Sequence, residues 1–123
     1  MQTGLHLSIH AFEPAAWDAL NPSCYPGLLH GFLSALEDSK SVGEGTGWRP
    51  LYASVTEHNE LVGAIVCYLK SDSYGEYVFD WTWADAYHRH GLNYYPKCIT
   101  AIPFTPASGP RVLIKHDADQ KEI

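Results

Sequence analysis

Two adjacent runs of strand-forming residues constrain the fold most strongly. The stretch RPLYASVT, residues 49–56, and the stretch ELVGAIVCYLK, residues 60–70, are separated only by the residues EHN. A connection this short joins antiparallel strands, so the pair predicts a β-hairpin. The second run is apolar at both odd and even positions, which is typical of a strand inside a sheet. The hairpin therefore predicts an antiparallel sheet with residues 60–70 as its central strand.

Two helices and a strand are predicted ahead of this hairpin. Pro14 suits the first turn of a helix, and Trp17 then lies on its apolar face. Across residues 28–39 apolar residues recur every three or four positions, which predicts a second helix with Glu37 on its solvent side. The alternation of apolar and polar residues across 7–12 predicts a short strand. The residues expected in the core are Trp17, Phe32, Leu36, Ile65 and Val66.

The glycine-rich segment KSVGEGTGW, residues 40–48, is predicted to be a mobile loop. Its first part loosely matches the Gln/Arg-x-x-Gly-x-Gly/Ala pattern of an acyl-CoA pyrophosphate loop, with Lys40 in first place. Such a loop must run from a strand into the N-terminus of a helix, so that backbone N–H groups face the phosphates. This segment instead follows a predicted helix and precedes a predicted strand, which disfavours a phosphate-binding role.

The aromatic stretch YVFDWTWADAYHRHGLNYYPKC, residues 77–98, is open to three interpretations: a strand, a helix or a row of metal ligands. As a strand it would place large rings on one face, but no residue ends it. As a helix it has Asp80 at the N-cap, basic residues in the last turn and Gly91 just after its end. Because the start and stop signals agree, we predict a short strand over 76–79 and a helix over 81–90.

The histidines and cysteines do not predict a metal site or disulfides. His88 and His90 are two residues apart, so on a helix they point in nearly opposite directions and cannot bind one metal together. Cys24, Cys67 and Cys98 are odd in number and widely spaced. Reduced thiols in a cytoplasmic protein are the simplest explanation.

The C-terminal third completes the predicted fold. The stretch KCITAIPF, residues 97–104, is rich in β-branched residues, and a turn then leads to a second strand over 111–114. The polar tail KHDADQKEI, residues 115–123, begins like a helix. Together these elements predict one α+β domain over residues 1–123, with a mainly antiparallel mixed sheet flanked by helices.

The charge balance argues against a nucleic-acid partner, and the hydropathy argues against a membrane span. With 14 acidic and 8 basic residues the net charge is −6, and the basic residues do not cluster, so a nucleic-acid partner is not expected. No run approaches the roughly 18–20 apolar residues that span a bilayer, and the N-terminus lacks a signal-peptide pattern. We therefore predict a protein without a membrane span.

Three motifs carry a resemblance to a known family: FDWTWADAY, YYPK and PFTPASGPR. The chain resembles the N-terminal part of the FemAB-like group of bacterial proteins, which is placed in the Gcn5-related N-acyltransferase (GNAT) superfamily. The resemblance covers nearly the whole chain, from FLSALEDSKSVGEGTGWRPLYA through LVGAIVCYLKSDSYGEYVFDWTWADAY to YYPKCITAIPFTPASGPRVLI.

The resemblance implies a longer parent protein built from two GNAT-like halves, of which this chain is the first. It further implies transfer of an acyl or aminoacyl group to the amine of a cell-wall or amino-acid type substrate. The donor, acyl-CoA or aminoacyl-tRNA, would be shared with the C-terminal half, so this fragment is expected to bind no cofactor alone. Whether the fragment is active alone stays open.

Two further expectations follow from a half domain. The apolar face meant for the second half would be exposed, which predicts self-association into a homo-oligomer. The alternative to an enzyme is a non-catalytic module that binds a peptide-like or carboxylate ligand, or that only supports the second half.

N-acyl transfer needs a base near the amine, donors facing the developing oxyanion, and a cleft for the acyl donor. Asp80 and Asp85 are the candidate catalytic bases, because burial beside a tryptophan raises the pKa of a carboxyl group. The alternative is that Asp80 only caps the helix and that Asp85 only faces solvent.

Substrate-binding candidates come from the helix and the two stretches after it. Prolines and a glycine stiffen the loop PFTPASGPR, residues 103–111, whose hydroxyls and guanidinium suit a ligand that bears a carboxylate. A stiff turn with the arginine paired to an acid is the alternative. The stretch YYPK, residues 94–97, presents hydroxyls and an ammonium group, with simple packing as its alternative. The candidates are Trp83, Tyr94, Tyr95, Lys97, Phe104, Thr105, Ser108 and Arg111.

Overall fold

The predicted hairpin forms the centre of the sheet. The computed structural model describes residues 1–116 and contains five strands: β1 (Gln2–His6), β2 (Trp48–Glu57), β3 (Glu60–Lys70), β4 (Lys97–Ile99) and β5 (Val112–Ile114). β1 pairs with β2, β2 with β3, and β3 with both β4 and β5, all antiparallel. This antiparallel sheet with its few helices confirms the α+β class.

A two-residue turn sets the register of the hairpin. His58 and Asn59 have φ of 49° and 64°. Positive φ at both turn positions is typical of the type I′ turn, whose twist matches that of the two strands. As a result Glu57 lies opposite Glu60. An irregularity between Val55 and Thr56 then shifts the register by one residue, so that Tyr52 lies opposite Val66. β3 is the central strand, as predicted.

Two helices and the sheet bury the core between them. The helices are α1 (Pro14–Asp18) and α2 (His30–Asp38), and short 3₁₀ turns lie at Ile9–Ala11 and Pro26–Leu28. Trp17 and Leu33 from the helices join Tyr52 and Tyr68 from the sheet in one cluster of buried residues. A fully buried leucine such as Leu33 contributes roughly 2 kcal/mol to stability. Both predicted helices are confirmed.

The other face of the sheet is only partly covered. Leu5 and Val112 are exposed on it, and Ile65 is half-buried between them. Phe32 was predicted in the core, and this is wrong: it is exposed because α2 turns the neighbouring Leu33 inward. The predicted core residues that pack in or against the core are Trp17, Leu36 and Val66.

Two predictions, one for residues 7–12 and one for Glu37, are wrong, and the hydrogen bonds of the Ser8 side chain are involved in both. Residues 7–12 form no strand. They contain the 3₁₀ turn Ile9–Ala11, because the Ser8 side chain accepts a hydrogen bond from the His10 N–H and caps that turn. Glu37 does not lie on a solvent face. Its carboxylate accepts hydrogen bonds from the Ser8 hydroxyl and the Tyr52 hydroxyl, each at 2.7 Å, and so joins the turn to the sheet.

The aromatic stretch forms a helix without the predicted strand. α3 (Trp81–Arg89) is confirmed, and Gly91 after it has a φ of 70°. Residues 76–79 pair with no strand, because the end of β3 near them already has β2 on one side and β4 on the other. α3 has no buried residue.

The C-terminal segment agrees only in part. β4 is shorter than the strand predicted over 97–104, and β5 confirms the strand near 111–114. The helix start predicted in the tail lies, from residue 117 onward, outside the described residues. No helix in the described part of the chain has the length and apolar character to cross a membrane. Nor do residues 1–116 bring together three or more His, Cys, Asp or Glu side chains that could hold a metal ion.

Candidate functional site

A cavity of about 540 Å³ is formed by the segment before α3, by β4 with the residues around it, and by the loop that leads to β5. This volume is within the range of small-molecule sites. The charged and hydroxyl-bearing residues of its lining are Glu76, Tyr77, Asp80, Tyr94, Lys97, Thr100, Thr105 and Arg111.

Lys97 is the centre of the hydrogen bonds in this cavity. Its ammonium group donates to Ser73 Oγ at 2.9 Å, to Glu76 Oε1 at 2.9 Å, and to Asp80 Oδ2. An ammonium group has three N–H donors, so all of them are used within the protein. Burial by itself lowers the pKa of Lys97, but the hydrogen bonds to Asp80 and Glu76 outweigh this and raise it. Lys97 is therefore a cation with no donor left for a ligand.

Asp80 is held in its ionised form. Burial by itself raises the pKa of its carboxyl group, but hydrogen bonds, first of all the one from Lys97, lower the pKa to about 2. The Tyr94 hydroxyl also donates to Asp80 Oδ2. This hydrogen bond, with burial and the charge of Asp80, raises the pKa of Tyr94 to about 12, so the phenol stays protonated.

Two carboxylate oxygens in this cluster lack a hydrogen-bond partner among the described residues: Glu76 Oε2 and Asp80 Oδ1. Both atoms are shielded from solvent by the protein, and the side chains are only 11% and 15% exposed. The cluster holds one cation and two carboxylates, so it carries a net negative charge.

Arg111 brings a second cation to the cavity from the loop before β5. Its guanidinium donates to the carbonyl oxygens of Ala107 at 2.7 Å, Pro110 at 3.1 Å and Gly109 at 3.3 Å. Within residues 1–116 no acidic side chain forms an ion pair with it. The arginine thus fixes the shape of its own loop and keeps an unbalanced positive charge.

Close packing holds this loop against the body of the domain. The Phe104 ring lies 5.2 Å from the Trp48 ring and fills the space that a side chain at Gly75 would need. Farther along, a Cβ at Gly109 would lie 2.3 Å from the ring of Tyr25. The glycines therefore let the loop approach the domain, and the cavity has a fixed wall.

The family comparison agrees with the motifs. A family model described as peptidoglycan biosynthesis/recognition, FemAB-like, matches residues 8–123. The chain belongs to the FemAB-like family. No curated protein and no solved structure matches it.

The structure brings together about half of the residues predicted for the site of this FemAB-like chain. Five of them line one cavity: Asp80, Tyr94, Lys97, Thr105 and Arg111. Tyr95 does not line the cavity but contacts a residue that binds Lys97. Its hydroxyl lies 2.7 Å from Ser73 Oγ, which accepts a hydrogen bond from Lys97. Phe104 packs against Trp48 and supports the wall.

Three predicted residues lie away from the cavity lining. Asp85 is exposed and pairs with Arg89 one turn along α3, and Trp83 is 67% exposed on the same helix. Ser108 is exposed, and it is its carbonyl oxygen that is used, as acceptor of the Tyr25 hydroxyl at 2.9 Å.

Sequence reasoning missed Glu76 and Ser73, which complete the coordination of Lys97. They lie 21 and 24 residues before the lysine, in the irregular segment between β3 and α3, so no local period connects them to it. The signal that could have identified Glu76 is its spacing of four residues from Asp80 in an otherwise aromatic segment.

Proposed function

We propose that this FemAB-like chain is a GNAT-type domain that works in acyl or aminoacyl transfer to an amine of a peptidoglycan-type acceptor, and that its cavity binds that amine. In this reaction the amine nitrogen attacks the carbonyl carbon of a thioester or ester. The bound ammonium group first loses one proton to water, which frees the lone pair of the nitrogen. A C–N bond then forms, the C–S or C–O bond breaks, and the second proton passes from the nitrogen to the leaving thiolate or alkoxide.

The observation that carries the proposal is the pair of unpartnered oxygens, Glu76 Oε2 and Asp80 Oδ1. An ionised carboxylate only accepts hydrogen bonds, so the cavity selects a donor. A shielded acceptor without a donor costs about 1–3 kcal/mol, and a protonated amine beside both oxygens would remove that cost. It would also neutralise the net negative charge of the cluster.

The low pKa of Asp80 supports a binding role for this residue over proton transfer. A general base works best when its pKa lies near the working pH, and a carboxyl group of pKa about 2 is far below it. We therefore propose that Asp80 and Glu76 bind the protonated amine, and that Lys97 and Tyr94 hold the Asp80 carboxylate in place.

The acyl donor belongs to a second GNAT-like half of the parent protein in this proposal. The glycine-rich segment between α2 and β2 runs from a helix into a strand, which is the wrong context for a pyrophosphate loop. Acyl-CoA and aminoacyl-tRNA are the donor classes expected, and both are cytoplasmic, so we place the reaction in the cytoplasm.

The proposal is tested with a pair of peptides that differ at one nitrogen. Isothermal titration calorimetry compares a short peptide with a free lysine ε-amine against the same peptide acetylated on that amine. Wild-type protein should bind the free amine and reject the acetylated form. The Glu76→Gln variant should lose this discrimination, whereas Asp85→Asn, a loss of charge on exposed α3, should keep it.

Transfer itself is followed by mass spectrometry of the free-amine peptide incubated with acetyl-CoA or aminoacyl-tRNA and the two-half parent. A mass gain that depends on Glu76 supports the assignment. Equal binding of the free and acetylated peptides would show that the cavity does not recognise an amine, and the proposal would fail.

A further inference from the structure

The charged residues of the cavity lining form two groups. Lys97, Glu76 and Asp80 form one group, whose unpartnered atoms are carboxylate oxygens. Arg111, on the loop before β5, is the other charged residue among the described lining residues. Two cations and two carboxylates leave the whole lining neutral.

The donors of the two cations are used differently. Lys97 has given all three N–H groups to protein oxygens, so it cannot bind a ligand anion. Arg111 has five N–H groups, and its three bonds run from its two terminal nitrogens to neutral carbonyl oxygens. Carbonyl oxygens orient a guanidinium without balancing its charge. A half-buried arginine with no acidic partner in residues 1–116 therefore lacks an anion.

We propose that the ligand of this cavity is an amino-acid-type zwitterion with a free ammonium group and a free carboxylate. The ammonium group binds at Glu76 and Asp80, and the carboxylate binds at Arg111. The ammonium half rests on the proposed function, and the carboxylate half goes beyond it. A neutral lining suits a ligand of no net charge, so a zwitterion is preferred to a diamine or a dicarboxylate.

The cavity size agrees with this ligand class. About 540 Å³ is more than a lone ammonium group or carboxylate needs, and it accommodates an amino acid or the end of a short peptide. Both charges of such a ligand would meet a partner of opposite sign inside one cavity.

The test uses sets of ligands with equal chain length. Calorimetry on the wild-type protein compares 6-aminohexanoate with hexylamine, which lacks the carboxylate, and with hexanoate, which lacks the ammonium group. The set is repeated with 4-aminobutyrate, butylamine and butyrate, because the spacing of the two charges matters. At one of these lengths the zwitterion should bind at least about tenfold more tightly than its amine, which is the gain of one charge-assisted contact.

Two variants separate the role of Arg111 from general loss of structure. Arg111→Gln should abolish the advantage of the zwitterion, so that within this variant the zwitterion and its matching amine bind equally tightly. Arg111→Lys keeps the charge but loses the planar fork, so it should retain part of the advantage. If Arg111→Gln fails to fold, the wild-type ligand sets still decide the proposal.

The outcomes distinguish this inference from the proposed function. Binding of hexylamine with no gain from the added carboxylate would overturn the zwitterion and leave the amine site standing. Binding of hexanoate with no gain from the added ammonium group would overturn both proposals. Binding of none of the six ligands would also overturn both.

Discussion

Replacing Asp80 by asparagine tests the charge cluster through its effect on stability. The change is nearly isosteric, and it removes the carboxylate that accepts from both Lys97 and Tyr94. In the folded protein burial would raise the pKa of Asp80, but the Lys97 hydrogen bond and its companions lower it from 3.8 to about 2. A shift of this size corresponds to about 2 kcal/mol of stability.

The sign of the pH dependence follows from the direction of the shift. A carboxyl group whose pKa is lower in the folded state stabilises the fold above its unfolded pKa, and this contribution is lost as the pH falls through the folded pKa. Water at the cavity mouth screens part of the interaction. We therefore expect Asp80→Asn to be less stable than the wild type by about 1–2 kcal/mol at pH 7. The difference should shrink as the pH falls from about 4 towards about 2.

Urea unfolding followed by tryptophan fluorescence at pH 7, 5, 4 and 3 measures this difference. Asp85→Asn is the matched control, because it removes the same charge from an exposed pair with Arg89 and should cost less than about 0.5 kcal/mol. A difference between wild type and Asp80→Asn that stays constant from pH 7 to pH 3 would refute the reasoning. So would an equal loss in the control.

Three further predictions concern other parts of the fold. Gly109→Ala should lower the free energy of unfolding by about 1–3 kcal/mol, measured in urea, since its Cβ would clash with the Tyr25 ring. Glu37→Gln should cost about 1–3 kcal/mol in the same assay, because Glu37 receives three hydrogen bonds. Burial, and after it the neighbouring Cys98 thiol, raise the pKa of Cys67 to about 11. Iodoacetamide at pH 8 should therefore alkylate Cys67 far more slowly than exposed Cys24, and mass spectrometry measures the two rates.

The elements that could be predicted from sequence are those whose signals are local. The β2–β3 hairpin and α3 each carry their own turn or terminator, and both are confirmed. The strand predicted over 76–79 has the right composition, but a strand also needs a partner, and the place beside the end of β3 is taken by β4, which forms the edge of the sheet. Sequence periodicity does not report which segments pair.

In the site, too, local sequence signals do not predict contacts between distant residues. A local rule predicts Asp80 as the N-cap of α3. It does precede α3, but its side chain makes no capping hydrogen bond and accepts one from Lys97 instead. An ionised partner is a stronger attraction than a backbone N–H at a helix start. The sequence does not predict the role of Glu76, because that role depends on a lysine 21 residues away. Long-range ion pairs of this kind come only from the fold.

A crystal structure of the protein grown at neutral pH with 6-aminohexanoate gives the most direct test of the amine site. The account predicts the ligand nitrogen about 3 Å from both Glu76 Oε2 and Asp80 Oδ1, with Lys97 still bonded to the other oxygens of these residues. A ligand bound outside the cavity would contradict it, as would a bound ligand whose nitrogen points away from both carboxylates.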